Sequence, residues 1–320
     1  VLLYLSLLGI CLEPSSSFLM KTSTKTQLTT HTAANLDSMA LVVMGGSVLC
    51  FTVNSLLLKY LGSVRAIDPS VALAFRAVVG MLVVWCFSRG RRPVEWRRVF
   101  IDKGLIARGL TGIVGTAAFY LTIPALGAGK ATLLNNTYVL FAAVFAVWFL
   151  KESLNRSRVV WIGISFFGVA LLVGVKDAVA NNSWYDMIGI VGAIAAAGSV
   201  ILIRRLTSRY SNGTIFMSQC VWVGIAALPF AILRWGNVGW TEFAILSGAA
   251  LMAGIGQLML NEGFRRLSVA TGAAIQMGWP VLTAFGGIVF FGEVFTSIQV
   301  VGSVMILLGI WQVIARKEQA

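Results

Sequence analysis

The chain has 320 residues, 58% of them hydrophobic and 12% charged, with a formal net charge of +13. Soluble domains carry about 25% charged residues, so this composition and a mean hydropathy of +0.86 exclude an ordinary globular protein or a globular domain on one anchor. The positive charge does not mark a nucleic-acid binder, because Lys and Arg fall between apolar runs and form no continuous stripe.

Residues 1–12, "VLLYLSLLGICL", are apolar but too short to span a bilayer, and they lack the leading basic residues of a signal peptide. Residues 13–38 are rich in Ser and Thr and are expected to be disordered. Residues 1–38 are therefore read as an extension outside the core fold. Ten apolar runs follow, near 39–61, 71–88, 105–126, 131–150, 159–175, 184–203, 214–233, 241–261, 269–291 and 297–315. At ~1.5 Å per residue, about 20 residues cross the hydrocarbon core. "DPS" at 68–70 places Asp68 as an N-cap before Pro69 in a first helical turn. Ser268 and Thr296 are expected to cap the last two spans.

Charge asymmetry orients the spans. With the N-terminus in the cytoplasm, nineteen of the 25 Lys and Arg residues fall on the cytoplasmic side and five on the other, leaving Arg76 inside a span. Seven of the nineteen lie in "RGRRPVEWRRVFIDKGLIAR", up to Arg108. Both termini are then cytoplasmic, in an inner or plasma membrane. Cys11, Cys50, Cys86 and Cys220 have no paired spacing, and His31, the only histidine, precedes the first span. No disulfide framework, metal site or cofactor is expected.

"ATLLNNTYVLFAAVFAVWFLKESL" (131–154) and "TGAAIQMGWPVLTAFGGIVFFGEVF" (271–295) are both long apolar runs reaching a glutamate, Glu152 or Glu293. A shift of 141 residues superposes these glutamates and carries Gly168 onto Gly309. The chain therefore divides into halves of five spans, and an odd number inverts the second half. Inverted repeats place a solute site near the midplane where the halves meet.

The chain resembles the drug/metabolite transporter superfamily, in its EamA-type ten-helix members. The resemblance is carried by "AFRAVVG", "TAAFYLTIPALGAGKATLL" and "FLKESLNRSRVVWIGISFFGVALLVG" in the first half. In the second it is carried by "RRLSVATGAAIQMGWPVLTAFGGIVFFGEVFTSIQVVGSVMILLG". It covers about residues 39–316. It implies an all-α integral membrane protein, with five-helix repeats at 39–175 and 184–316 and a central alternating-access cavity. Gly163 and Gly168 are five apart where Gly302 and Gly309 are seven apart, which leaves the packing of the fifth span open.

Polar groups in hydrocarbon are costly unless they face protein or water. Thr132, Asn135 and Asn136 lie within one turn of the fourth span, Thr116 and Tyr120 are four apart in the third, and Gln257 and Asn261 four apart in the eighth. Gln276 lies four before Pro280, beside Trp279, and Asn54 shares a face with Cys50 in the first span. The 141-residue shift carries Asn135 onto Gln276 and Tyr120 onto Asn261. The expected solute site is Asn54, Thr116, Tyr120, Asn135, Asn136, Tyr138, Gln257, Asn261, Gln276 and Trp279. Amides both donate and accept, which suits a zwitterionic or polar neutral solute. The competing account is that these amides only bond between helices. Arg76 either snorkels outward or pairs with an anionic solute. Glu262 either pairs with Arg266 or couples transport to protons.

No zincin, nucleophile-elbow or phosphate-loop motif is present, and no histidine lies in a span, so catalysis is not expected. The expected function is secondary transport of a small polar metabolite such as an amino acid or amine. Nucleotide-sugar transport is the alternative within the family, and a non-transporting scaffold or receptor the alternative outside it. The expected partners are the lipid bilayer and a small-molecule solute, with no nucleic acid; a homodimer is left open.

Overall fold

The computed structural model describes residues 25–88, 93–150, 156–173, 183–236, 238–267, 272 and 275–315. Its elements are helices: α1 (Lys25–Ser63), α2 (Pro69–Ser88), α3 (Trp96–Ile101), α4 (Lys103–Leu126), α5 (Ala128–Asn136) and α6 (Tyr138–Leu150). They continue with α7 (Arg156–Val173), α8 (Ser183–Leu206), α9 (Asn212–Leu233), α10 (Trp240–Arg266), α11 (Gly278–Phe291) and α12 (Ser297–Ala315). Among the described residues, six helices are long and apolar enough to cross a membrane, at 39–63, 69–87, 103–126, 184–206, 212–233 and 240–266. Apolar stretches at 159–172, 278–291 and 297–312 are shorter.

Local chemistry sets the helix starts. Asp68 Oδ1 accepts from Ser70 N at 2.8 Å, and Thr296 and Gln299 exchange bonds in a capping box. Asp102 Oδ1 accepts from Gly104 N and Leu105 N, and Tyr210 Oη donates to Asp102 Oδ2 at 3.0 Å. Burial opposes ionisation of Asp102, but these bonds and nearby Arg209 outweigh it and hold its carboxyl below the usual carboxylate range. Ser268 lies outside the described residues.

Two expectations change. The Ser/Thr-rich stretch contributes residues 25–38 to α1; it contains no Gly or Pro there, so nothing stops the helix from propagating out of the apolar run. The fourth span is not continuous but divides at Thr137. The Thr137 N–H and Oγ1–H both turn back to the Leu134 carbonyl, at 3.2 and 2.6 Å, a tighter turn than the α-helical one. The ninth run has a matching interruption at Met277, just before α11.

The perimeter is apolar, and polar residues are buried inside it among a larger apolar core. Leu82, Val114, Phe167, Ile232, Phe285 and Phe290 are exposed, while Thr132, Asn136, Arg108 and Thr283 are buried. A lipid surround demands that polar groups be withdrawn from the perimeter in this way. Trp184, Trp235 and Trp240 stand exposed near helix ends, where indole rings suit the membrane interface.

The helix pairings come in matched sets. α1 packs on α10 as α4 packs on α8; α4 packs on α9 as α2 packs on α10; α2–α9, α5–α11 and α7–α12 pair across the halves. Glycines settle the α7–α12 contact. A Cβ on Gly302 would lie 2.6 Å from the Gly168 carbonyl oxygen, and one on Gly309 2.9 Å from the Trp161 carbonyl oxygen. Gly163 has nothing within 4 Å. The backbones therefore meet through Gly168, Gly302 and Gly309, and the unequal glycine spacing is resolved by Gly163 standing outside the contact.

Candidate functional site

A cavity of about 120 Å³ lies between the two halves of the chain. It is lined by α1, α2, α4, α5, α6, α8, α9, α10, α11 and Gln276, and by no residue of α7 or α12. Of the residues expected from sequence, Asn54, Thr116, Asn135, Tyr138, Gln257, Gln276 and Trp279 line it, as does Arg76. Phe51 and Phe119 pack on Trp279 with ring centroids 5.5 and 5.2 Å apart, forming an apolar wall. Trp279 Nε1 donates to Ser55 Oγ at 3.1 Å, which fixes the indole.

Four expected residues stand elsewhere. Tyr120 is buried beside the cavity, with its ring 5.7 Å from the Arg76 guanidinium and its hydroxyl 3.4 Å from Arg76 Nη1. Asn261 joins a chain of amides: Gln257 Nε2 donates to Asn261 Oδ1 at 3.0 Å, and Asn261 Nδ2 to Asn212 Oδ1 at 2.9 Å. Asn136 is buried off the cavity, and neither atom of its amide has a partner among the described residues. Successive helical residues point about 100° apart, and here Asn135 faces the cavity while Asn136 turns away from it. Glu262 is held at 2.6 Å by Arg266 and at 3.5 Å by Arg265, away from the lining.

Sequence reading missed Arg108, Thr111, Ser199 and Gln219, all of which line the cavity. Arg108 was assigned to the basic loop. It is 2% exposed and lies inside α4, five residues past its start at Lys103. The apolar run at 105–126 already contains Arg108, so its place in a span was available from the sequence. Arg108 Nη2 donates to Gln219 Oε1 at 2.7 Å and Nη1 to Ser199 Oγ at 3.2 Å. Gln219 Nε2 donates onward to Thr116 Oγ1 at 2.9 Å, and Ser199 Oγ to Thr111 Oγ1 at 2.8 Å. Arg76 Nη2 lies 3.5 Å from Gln257 Oε1. The 141-residue shift carries Thr116 onto Gln257, so each half places one polar residue opposite a partner on the other half.

The two ends of the bundle differ. At one end, charged pairs join separate helices or their adjoining loops: Lys130–Asp186 at 3.1 Å, Lys59–Glu293 at 3.9 Å, Arg65–Glu242 at 3.4 Å and Arg234–Asp68 at 3.3 Å. Glu293 also accepts from the N–H groups of Ala128 and Gly129 at the start of α5, where a helix N-terminus favours an anion. At the other end, where α4 starts, the ion pairs among the described residues are short-range: Glu95–Arg98 and Glu262 with Arg265 and Arg266. Arg108, Ser199, Ile203, Gln219 and Gln257 set the cavity between mid-bundle and that second end. Glu152 lies outside the described residues.

The EamA-like transporter family matches residues 38–174 and again residues 183–315. The pseudopaline exporter of Pseudomonas aeruginosa is 24% identical over 238 residues, covering 73% of this chain and 82% of that protein. The S-adenosylmethionine uptake transporter of Rickettsia felis is 22% identical over 263 residues, covering 82% and 87%. The threonine/homoserine exporter of Salmonella typhimurium is 23% identical over 237 residues, covering 71% and 75%. One solved crystal structure shares the fold with a TM-score of 0.63 at 17% identity, covering 88% of this chain and 99% of that one.

Proposed function

Because the chain belongs to the EamA-like transporter family and is a multi-pass membrane protein, we propose that it is an alternating-access secondary carrier for a small polar metabolite bearing a carboxylate, of the amino-acid kind or related to it. Ten spans in inverted repeats at 39–175 and 184–316 would rock about the central cavity. The matched helix pairings and the double family match support that arrangement. The observation that carries the solute class is the cavity lining: two arginines, several amides and, among the described residues, no carboxylate. Such a lining disfavours a solute whose only charge is an ammonium and favours one that bears a carboxylate. The name of the threonine/homoserine exporter agrees with a carrier for amino-acid-like solutes.

Size weighs against nucleotide sugars. At about 10–15 Å³ per water-sized probe, the cavity holds on the order of eight to twelve such spheres. A nucleotide sugar exceeds that several-fold. The ion-paired end is read as the outer end and the end where α4 starts as the cytoplasmic one, in an inner or plasma membrane. The cavity lies toward the latter, as in a cytoplasm-facing carrier.

The test is a thermal-shift panel of amino acids, polyamines, nucleobases and nucleotide sugars on detergent-purified protein. A solute that binds only the native state raises the melting temperature. The expected hit is a carboxylate-bearing solute whose effect disappears in Asn135→Ala and Gln276→Ala. A hit confined to polyamines would overturn the solute class. Silence across the panel would favour a scaffold or receptor.

A further inference from the structure

We propose that this cavity takes a compact solute with two negative charges, a dicarboxylate or a phosphate monoester, and that Arg76 and Arg108 hold those charges. The inference deepens the carrier reading and rests on it. A charge moved out of water is destabilised unless an opposite charge meets it. Both guanidiniums are buried, with Arg76 8% and Arg108 2% exposed. Every protein partner they have among the described residues is neutral. Arg76 reaches only Tyr120 and Gln257, at 3.4 and 3.5 Å, both at the long limit of hydrogen bonding. Arg108 is bonded by Ser199 and Gln219, while its Nε has no partner.

The carboxylates that could serve are committed elsewhere. Asp186 meets Lys130, Glu293 meets Lys59 and the start of α5, and Glu262 meets Arg265 and Arg266. The bundle therefore encloses two positive charges at the cavity, and among the described residues it supplies no counter-charge there. Guanidinium matches carboxylate or phosphate oxygens in geometry as well as sign. The rest of the lining fits a small organic acid. Asn54 is 1% exposed, lines the cavity, and has neither amide atom partnered, which leaves a donor and an acceptor for a hydroxyl. Phe51, Phe119 and Trp279 supply an apolar wall for a short carbon skeleton. The volume, about eight to twelve water-sized spheres, accommodates an acid of about that many non-hydrogen atoms.

The rival account is that the arginines are braces, with Arg108 tying α4 to α8 and α9 and Arg76 tying α2 to α4 and α10. The two accounts differ in the ligand-free protein. A brace stabilises the empty bundle, whereas an unneutralised buried charge destabilises it, and its replacement by a neutral residue is often stabilising.

The experiment uses the full chain, purified in detergent for thermal shift and reconstituted in liposomes for uptake. The probes are malate, glycerol 3-phosphate, threonine and putrescine. Malate or glycerol 3-phosphate is expected to raise the melting temperature by several degrees and to be taken up, and whichever does so identifies the anionic group. Arg108→Gln is expected to weaken that solute's apparent affinity at least tenfold, with a ligand-free melting temperature equal to or above wild type. Arg76→Gln gives the same reading should the first variant not be recovered folded. If threonine or putrescine binds and neither dianion does, the proposal is overturned and the carrier reading stands. If Arg108→Gln lowers the ligand-free melting temperature and keeps wild-type affinity, the brace account replaces it. If no probe shifts melting and none is taken up, the carrier reading fails with it.

Discussion

Glu293 joins α1 and the start of α5 at one end of the bundle, and neutralising it is expected to loosen that end. Its carboxylate accepts from the N–H of Ala128 and from that of Gly129 at 3.0 Å, and lies 3.9 Å from Lys59 Nζ. Its side chain is only 12% exposed, so solvent screens these contacts little. Hydrogen bonds to charged groups contribute about 1.5–3 kcal/mol each, and neutral ones about 1 kcal/mol. Glu293→Gln keeps one acceptor oxygen, loses the charge, and leaves the second N–H without its partner. The expected loss is about 3 kcal/mol, which is on the order of a hundredfold in an equilibrium. The reporter is Ala131→Cys, placed one turn into α5 at a position now 2% exposed. It would be introduced with the four native cysteines replaced by alanine. A bulky water-soluble maleimide should label it far faster in Glu293→Gln, approaching a hundredfold if opening of that end is limiting. An unchanged labelling rate would refute the reasoning, because Glu293 would then hold no closure.

Two further predictions test the frame around the cavity. Lys130→Met should destabilise the protein by about 3–5 kcal/mol by breaking its ion pair with buried Asp186; adding Asp186→Leu should recover most of the melting temperature, and a double variant no better than the single would contradict the pairing. Gly302→Leu should separate α7 from α12, since even a Cβ there would come 2.6 Å from a backbone oxygen that cannot move aside; the expected outcome is a lower melting temperature of the empty protein with solute affinity unchanged, read by thermal shift and binding.

Membrane spans were legible because twenty apolar residues in a row have few other uses. The amides were legible for the opposite reason, since polar groups in such runs need a partner. Which amide faces inward was not legible. Asn135 and Asn136 are chemically identical neighbours, and only the helix phase separates the cavity wall from its surroundings. Arg108 was hidden by its neighbours: six other basic residues precede it in one loop-like stretch, and counting charge by region carries the seventh with them. Its place inside the run at 105–126 was the available signal. Thr137 was hidden in another way, because an interruption of one residue leaves the hydropathy of the run unchanged. The repeat emerged from the 141-residue shift, and that shift also explains why Thr116 and Gln257 occupy comparable stations in the two halves.

The two cavity arginines have an electrical consequence. Fixed charges that change their exposure within a membrane feel its potential, at about 2.3 kcal/mol per charge for each 100 mV when they cross the full field. With a dianion bound, the charges of Arg76 and Arg108 are cancelled, and the loaded form carries no net charge in its cavity. The empty form carries both. Were the chain an alternating-access carrier for a dianion, voltage would act on the return of the empty form and leave the passage of the solute almost untouched, so the membrane potential would set how often it could cycle without a cargo to exchange.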